Sequence, residues 1–254
     1  MDKEFSDLQT RIEPLERFIK TYSATLPQPL FYDSAQNHTG FRYGNPNFRH
    51  FCLLKGMRIV SALNACICLV RAGYVQELYV LLRTVVEYKS HIEFVLYALD
   101  SDLNLRADVE RHVKVYFEDF QRNSSDDYKR PQLKQGAVHK IIGTTMRQNT
   151  QKGPDSKKFA NVFPEKLLSN IYLNFSNYVH ARYPEVMDMY GGSPLQIHLR
   201  GMSHTPKDWE MFQMVEATIE SASLLFKLWI KKMNLRNITV GDSVLEDWYS
   251  ASFE

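Results

Sequence analysis

The sequence predicts an all-α fold, a single-domain bundle of about six main helices joined by long loops. Three observations carry this prediction. Two long apolar-rich helical patterns, Asn47–Arg71 and Tyr74–Leu99, follow one another across a hinge at Gly73. At the amino terminus Phe5, Leu8, Ile12, Leu15, Ile19 and Tyr22 recur at alternating three- and four-residue steps. No run alternates apolar and polar residues at convincing strand length, and no internal repeat is visible.

Bulk properties agree with one folded unit. The 254 residues suit a single helical domain over 1–254, with an amino-terminal helix at 1–26, a bundle core at 47–233 and a docked tail at 234–254. Hydrophobic residues at 44% and charged residues at 24% argue against wholesale disorder. A net charge of +2 supplies no global field for nucleic acid or membrane. The start, Met1 to Asp7, has acids and no apolar core of a signal peptide. The best membrane candidate, Ile59–Val70, is twelve residues long. It would rise about 18 Å, short of the roughly 30 Å hydrocarbon core, and reads as a buried helix. Cys52, Cys66 and Cys68 are odd in number and form no framework, as expected of reduced, buried thiols in a cytoplasmic protein with no membrane partner.

Taken in order, the amino-terminal seam packs either on another subunit or, as preferred here, on its own bundle. Pro14 would kink that helix or begin it. Pro27 to Pro46 reads as a loop, whose Phe31, Tyr32, Phe41 and Tyr43 would pack it down or line a pocket. After the two long helices, Ser101 caps a fourth, with Val109, Val113, Phe117 and Phe120 as its apolar stripe. Residues 122–136 are turn-rich, a short helix fits Gln135–Met146, and Gln148–Asn161 reads as a loop. Pro164 opens a helix with Leu167, Leu168, Ile171, Phe175 and Val179 on its buried face, stopped by Pro184. Gly191, Gly192, Pro194 and Gly201 mark another loop. Thr205 as cap, Pro206 at the first position and Asp208 in the first turn start a last helix that runs to about Met233. Its inner face is Phe212, Val215, Ile219, Phe226 and Trp229. Val244, Leu245, Trp248, Tyr249 and Phe253 give the tail enough apolar area to dock.

Several chemistries have no footing. No histidine has a glutamate three residues before it, so a paired Glu-x-x-His di-iron site is absent. There is no zincin helix, zinc-like Cys/His spacing, dinucleotide fingerprint, Walker loop or nucleophile elbow. No metal and no cofactor is expected.

Two constellations remain. Arg83, Glu87 and His91 lie at four-residue spacing on one helix face. If buried, Glu87 would fix the guanidinium and raise the histidine pKa, preparing an anion site or an acid–base group. If solvated, the same face would carry weak ion pairs only. Tyr172, Ser176 and His180 repeat the spacing, with Arg182 nearby, and would face the first set across the bundle or simply be satisfied polar residues. Separately, residues 129–158 hold Lys129, Arg130, Lys134, Lys140, Arg147, Lys152, Lys157 and Lys158 against one acid, Asp155. This stretch carries +7 and leaves −5 for the remainder. It reads as a solvated basic linker or as a phosphate contact, without the aromatic interleaving of a base-stacking surface.

At Leu81-Leu82-Arg83-Thr84-Val85-Val86-Glu87, and again at Ile171-Tyr172, Ser176 and Val179-His180-Ala181, the sequence resembles a family of mostly bacterial all-helical proteins of unknown function. The likeness covers roughly Phe51 to Tyr183. That family is distantly similar to HEPN-type bundles, several of which are ribonucleases or nucleotide-binding partners in toxin and defence systems. The resemblance implies that Arg83, Glu87 and His180 share a buried polar site. An Arg-x4–6-His motif of HEPN ribonucleases has a counterpart in Arg106 and His112, although position 107 is Ala where a polar residue is usual.

The expected role is a cytosolic helical interaction or anion-binding module, assembled as a homodimer or other homo-oligomer, with a small anionic ligand held by Arg83, Glu87 and His180 and lined by Tyr172, Ser176 and His91. The alternative is a metal-independent HEPN-like ribonuclease. There His180 or His112 would act as general acid–base, Arg83 or Arg106 would stabilise the transition state, and the 129–158 stretch would hold RNA.

Overall fold

The computed structural model describes residues 2–32, 40–99, 103–118, 175–191, 195–205 and 207–235. It is an all-α bundle. The long elements are α1 (Asp2–Ala24), α2 (Phe48–Ala72), α3 (Val75–Ala98), α4 (Leu103–Glu118) and, near the end, a 26-residue helix, Lys207–Lys232. Before that last helix come a helical turn at 175–179, the short α5 (Tyr183–Met187) and a 3-10 turn at Asp188–Tyr190. The last helix is α6.

The seam of α1 is buried from Phe5 to Tyr22 within this one chain, so it packs on its own bundle and needs no second subunit. Pro14 lies inside a helix that runs through it, rather than starting one. Buried seam residues on both sides, Ile12 and Leu15, hold the turn that the missing N–H weakens. Phe18 and Tyr22 meet Phe226 and Trp229 of α6 in an aromatic cluster, with ring centroids 5.0–5.3 Å apart across the two helices. The Met233 sulfur accepts from both the Trp229 indole (3.0 Å) and the Tyr22 hydroxyl (3.3 Å). At Gly56, a Cβ would stand 2.7 Å from Ile19 and 2.9 Å from Trp229, so the missing side chain sets how closely α2 approaches α1 and α6.

Helix α2 begins with a capping box. The Asn47 side chain accepts from the Arg49 amide (2.9 Å), and His50 Nδ1 accepts from the Asn47 amide (3.3 Å). Among the described residues α2 is the one helix long and apolar enough to cross a membrane. Its buried stripe, Phe51 through Val70, packs against α3, α1, α6 and α4 as a core helix. Cys52 and Cys66 belong to that stripe and burial raises both thiols, Cys66 to about 12. Cys68 is exposed, against expectation, because it falls on the outer side of the same helix. Helix α3 is the centre of the fold. It packs on α2, α6, α4 and the 3-10 turn, and buries side chains almost all round.

The segment expected as a loop between Pro27 and Pro46 instead contains a small antiparallel hairpin, Leu30–Tyr32 (β1) paired with Gly40–Arg42 (β2). Strands of three residues are too short for alternation to show. Phe31 and Phe41 stack edge-to-face across it at 5.7 Å but stay 63% and 66% exposed, so they do not pack the segment down, whereas Tyr43 does, against the buried His50 ring at 4.5 Å. On α4, Val109 and Val113 are buried and Phe117 partly so. Phe175 is buried, but Val179 is 41% exposed, because the helix ends there. Pro184 does not stop it; Pro184 sits in the first turn of α5, where its lack of an N–H is harmless. Thr205 caps α6 as predicted, accepting from the Lys207 amide (3.3 Å), and Asp208 reaches back to accept from the His204 amide. Ser101, Phe120, the 122–161 predictions, Pro164 to Ile171 and the tail from 236 lie outside the described residues.

The elbow between α2 and α3 is closed by a strap. Gly73 and Gly201 both have positive φ, +72° and +96°. The Met202 amide donates to the Gly73 carbonyl at 2.7 Å. A Cβ on Gly201 would fall 1.9 Å from the Ala72 carbonyl oxygen, and one on Gly73 2.3 Å from the Ser203 amide nitrogen. Gly201→Ala and Gly73→Ala therefore each lose about 2–4 kcal/mol in denaturant unfolding, whereas Gly44→Ala, with open space around it, stays within about 0.5 kcal/mol.

Candidate functional site

The polar face of α3 is where the sequence places its main constellation, and its three members reach different depths. Arg83 is partly exposed, Glu87 nearly buried and His91 buried. Arg83 Nη1 pairs with Glu87 Oε2 at 3.3 Å. Arg83 Nε–H donates to Ser176 Oγ at 3.1 Å, so the second constellation does meet the first, through Ser176. His180 does not join them. It sits exposed in the turn that follows Val179, and its backbone amide bonds to the Ser176 carbonyl. Exposure removes the dry shared pocket expected for Arg83, Glu87 and His180. Tyr172 and the basic set Lys129, Arg130, Lys134, Lys140, Arg147, Lys152, Lys157 and Lys158 lie outside the described residues.

The residue that completes the site comes from α2. The Lys55 ammonium stands over the rings of Tyr88 (4.5 Å), Tyr116 (4.6 Å) and Phe51 (5.5 Å), one each from α3, α4 and α2. Burial lowers its pKa to about 8, and the negative charge of Glu87 offsets part of that fall. Two cations, Arg83 and Lys55, are thus gathered about one carboxylate. A lysine inside the apolar run Leu53-Leu54-Lys55-Gly56 is a visible signal, but only the tertiary packing shows which rings surround it.

Behind Lys55 lie two histidines. The His112 ring packs 5.3 Å from His91, 5.4 Å from Phe51 and 6.0 Å from Phe94. Its Nε2 is enclosed and has no hydrogen-bond partner among the described residues. Burial, helped by the Lys55 charge, lowers His112 to about 4. Arg106 does not share this site with His112. Six residues turn a helix by about 600°, so the two side chains leave α4 about 120° apart. The Arg106 guanidinium is used elsewhere, donating to the carbonyls of Ala98 (3.4 Å) and Leu99 (3.0 Å) at the end of α3.

Two further polar networks had no sequence prediction. Lys89 and Glu93, about 200° round α3 from Glu87, form an ion pair at 2.5 Å with side chains only 2% and 1% exposed. Between α3, the 175–179 turn, the 3-10 turn and α6, the Tyr79 hydroxyl donates to Glu210 (2.9 Å) and the Tyr178 hydroxyl to Asp188 (2.5 Å). Lys207 bridges the two acids at 3.2 and 3.0 Å. Burial acts to lower Lys207, but its hydrogen bonds and the charges of Glu210 and Asp188 prevail and raise it. No cluster of three or more metal-ligating side chains occurs among the described residues.

The folded state prefers a neutral His112, so its contribution is complete above the ordinary value of 6.5 and is lost as pH falls toward about 4. The expected loss in wild type over that interval is of order 3 kcal/mol. His112→Phe should flatten this slope, as read from urea midpoints between pH 7 and pH 4. No protein-family model, curated protein or solved structure matches this chain.

Proposed function

We propose that this protein is a helical interaction module of the cytosol that captures a small anionic group, such as a phosphate or carboxylate of a partner, between Arg83 and Lys55. The observation that carries this reading is the nearness of two cations: Arg83 pairs with Glu87, and the charge of Glu87 also acts on Lys55, in a partly desolvated site. Glu87 and Ser176 both bond Arg83 and hold its planar guanidinium, the group whose geometry suits oxyanions. An arriving anion favours the charged form of Lys55, which burial alone disfavours. The contact between Arg83 and Ser176 also supports reading the two motifs of the family resemblance as one site.

Sulfate is the suitable probe because its charge is constant across the relevant pH range. At fixed ionic strength, titration calorimetry should show saturable sulfate binding that weakens at least fivefold between pH 7 and pH 9, as Lys55 loses its proton near 8. Arg83→Ala and Lys55→Met should each lower the affinity at least tenfold while leaving the circular dichroism spectrum unchanged. Binding that ignores both substitutions would sink the reading.

The ribonuclease alternative draws on His112, which lies beside Lys55 in the same cluster. An enclosed imidazole lowered to about 4 is poorly matched to general acid–base work near neutrality. The module reading expects purified protein to leave varied RNAs intact with chelator present. Cleavage that disappears in His112→Ala or His180→Ala would establish the nuclease instead.

A further inference from the structure

The segment 195–199, which leads into the strap, turns its apolar side outward. Residues 196–198 run without helix, turn or bend, so successive side chains point to opposite sides. The inner side is engaged. The His198 ring lies against Gly191, where an added Cβ would stand 3.0 Å from it, and the His198 amide donates to the Met189 carbonyl at 2.8 Å. Leu195, Ile197 and Leu199 fall on the other side and are 96%, 57% and 74% exposed. Three such residues at every second position differ from the scattered single apolar residues that any surface carries. Apart from the His198 amide and an isolated bridge between Leu199 and Gly201, the backbone of 195–199 bonds no other described backbone group. In an extended chain the N–H and C=O groups of alternate residues point to opposite edges. Those of Leu195 and Ile197 therefore point away from the Met189 edge and leave a free one.

We propose that 195–199 is the contact through which two copies of this chain pair, antiparallel about a two-fold axis at Ile197. The segment is complementary to itself. In that register Ile197 meets its own counterpart, Leu195 meets Leu199, and Gln196 meets His198. The free backbone groups of the two Ile197 residues exchange hydrogen bonds, and those of Leu195 and Leu199 bond across in the same way. All six apolar side chains then share one face and cover one another. No like charges meet, since 195–199 holds no Lys, Arg, Asp or Glu. A lipid surface would cover the side chains but leave the backbone edge unanswered, and the segment brings no Lys or Arg to anionic headgroups. The Met189 bond sets the segment beside α5, whose exposed Tyr183, Val186 and Met187 extend the apolar surface toward the roughly 800 Å² that each partner of a stable dimer contributes.

This surface shares no residue with the Arg83–Lys55 site, so each stands or falls alone. Sedimentation velocity of the full-length protein should show a reversible dimer forming at micromolar concentration. Ile197→Asp, an exposed change, should weaken it at least tenfold with the circular dichroism spectrum unchanged. The register is read by oxidation in a Cys68→Ser background, which removes the exposed native thiol. Ile197→Cys should close a disulfide across the axis, where paired Cα atoms stand about 5.5 Å apart. Gln196→Cys should not, because its partner is His198 and its own counterpart lies on a diagonal, out of disulfide reach. A monomer at every concentration, a dimer indifferent to Ile197→Asp, or equal cross-linking at 196 and 197 would each overturn the proposal. Co-sedimentation of a monomeric wild type with phosphatidylserine vesicles, lost in Ile197→Asp, would overturn it in favour of a lipid surface.

Discussion

The rest of the structure depends on the enclosure of α3. Covered along much of its length by α2, α6, α4 and the 3-10 turn, α3 buries Glu87, Lys89 and Glu93, and each of these charges must be answered by protein. Lys89 and Glu93 answer each other at 2.5 Å. Glu87 is answered by Arg83 and by the charge of Lys55. Tyr79 finds Glu210, and through it Lys207 and Asp188. Among the described residues the polar content of the core is therefore the Lys89–Glu93 pair, the network of Tyr79, Glu210, Lys207 and Asp188, and the cluster of Arg83, Glu87 and Lys55, in which two cations lie near one carboxylate.

Ammonium and guanidinium groups on aromatic faces recur in this protein. Lys55 rests among three rings, and Arg71 over one. Both arrangements keep a cation close to apolar surface without a full ion pair, which costs less desolvation than burying a charge against hydrocarbon alone. The two regions differ in what surrounds the cation. Around Lys55 the aromatics enclose it and lower its pKa; around Arg71 they open onto a cleft with acids at its edge.

The helices were legible because they depend on local pattern. The seam of α1, the long pair α2 and α3, the hinge at Gly73 and the Thr205 cap all follow from spacing, capping chemistry and glycine's tolerance of positive φ. The Leu30–Tyr32 hairpin was not, because three paired residues leave no periodic trace. Of the site, the Arg83–Glu87 pair was readable from four-residue spacing, and the contact with Ser176 from the motif order. His180 and Arg106 stand apart from the neighbours that spacing suggested, because spacing gives a direction round a helix but not what lies there: one residue is exposed, the other meets the carbonyls that end α3. Lys55, with its cage from three helices, is a product of packing between segments far apart in sequence, and no single-segment pattern contains it.

The strap across the elbow has a consequence for the order of assembly. The Met202 amide and the Gly73 carbonyl close an excursion of about 130 residues at its base, and α6 starts only just beyond that closure. During synthesis the first two long helices leave the ribosome with Phe18 and Tyr22 still lacking the Trp229 and Phe226 surfaces that cover them. The decisive step is non-local, and the nascent chain carries an uncovered aromatic stripe until its last fifth is made.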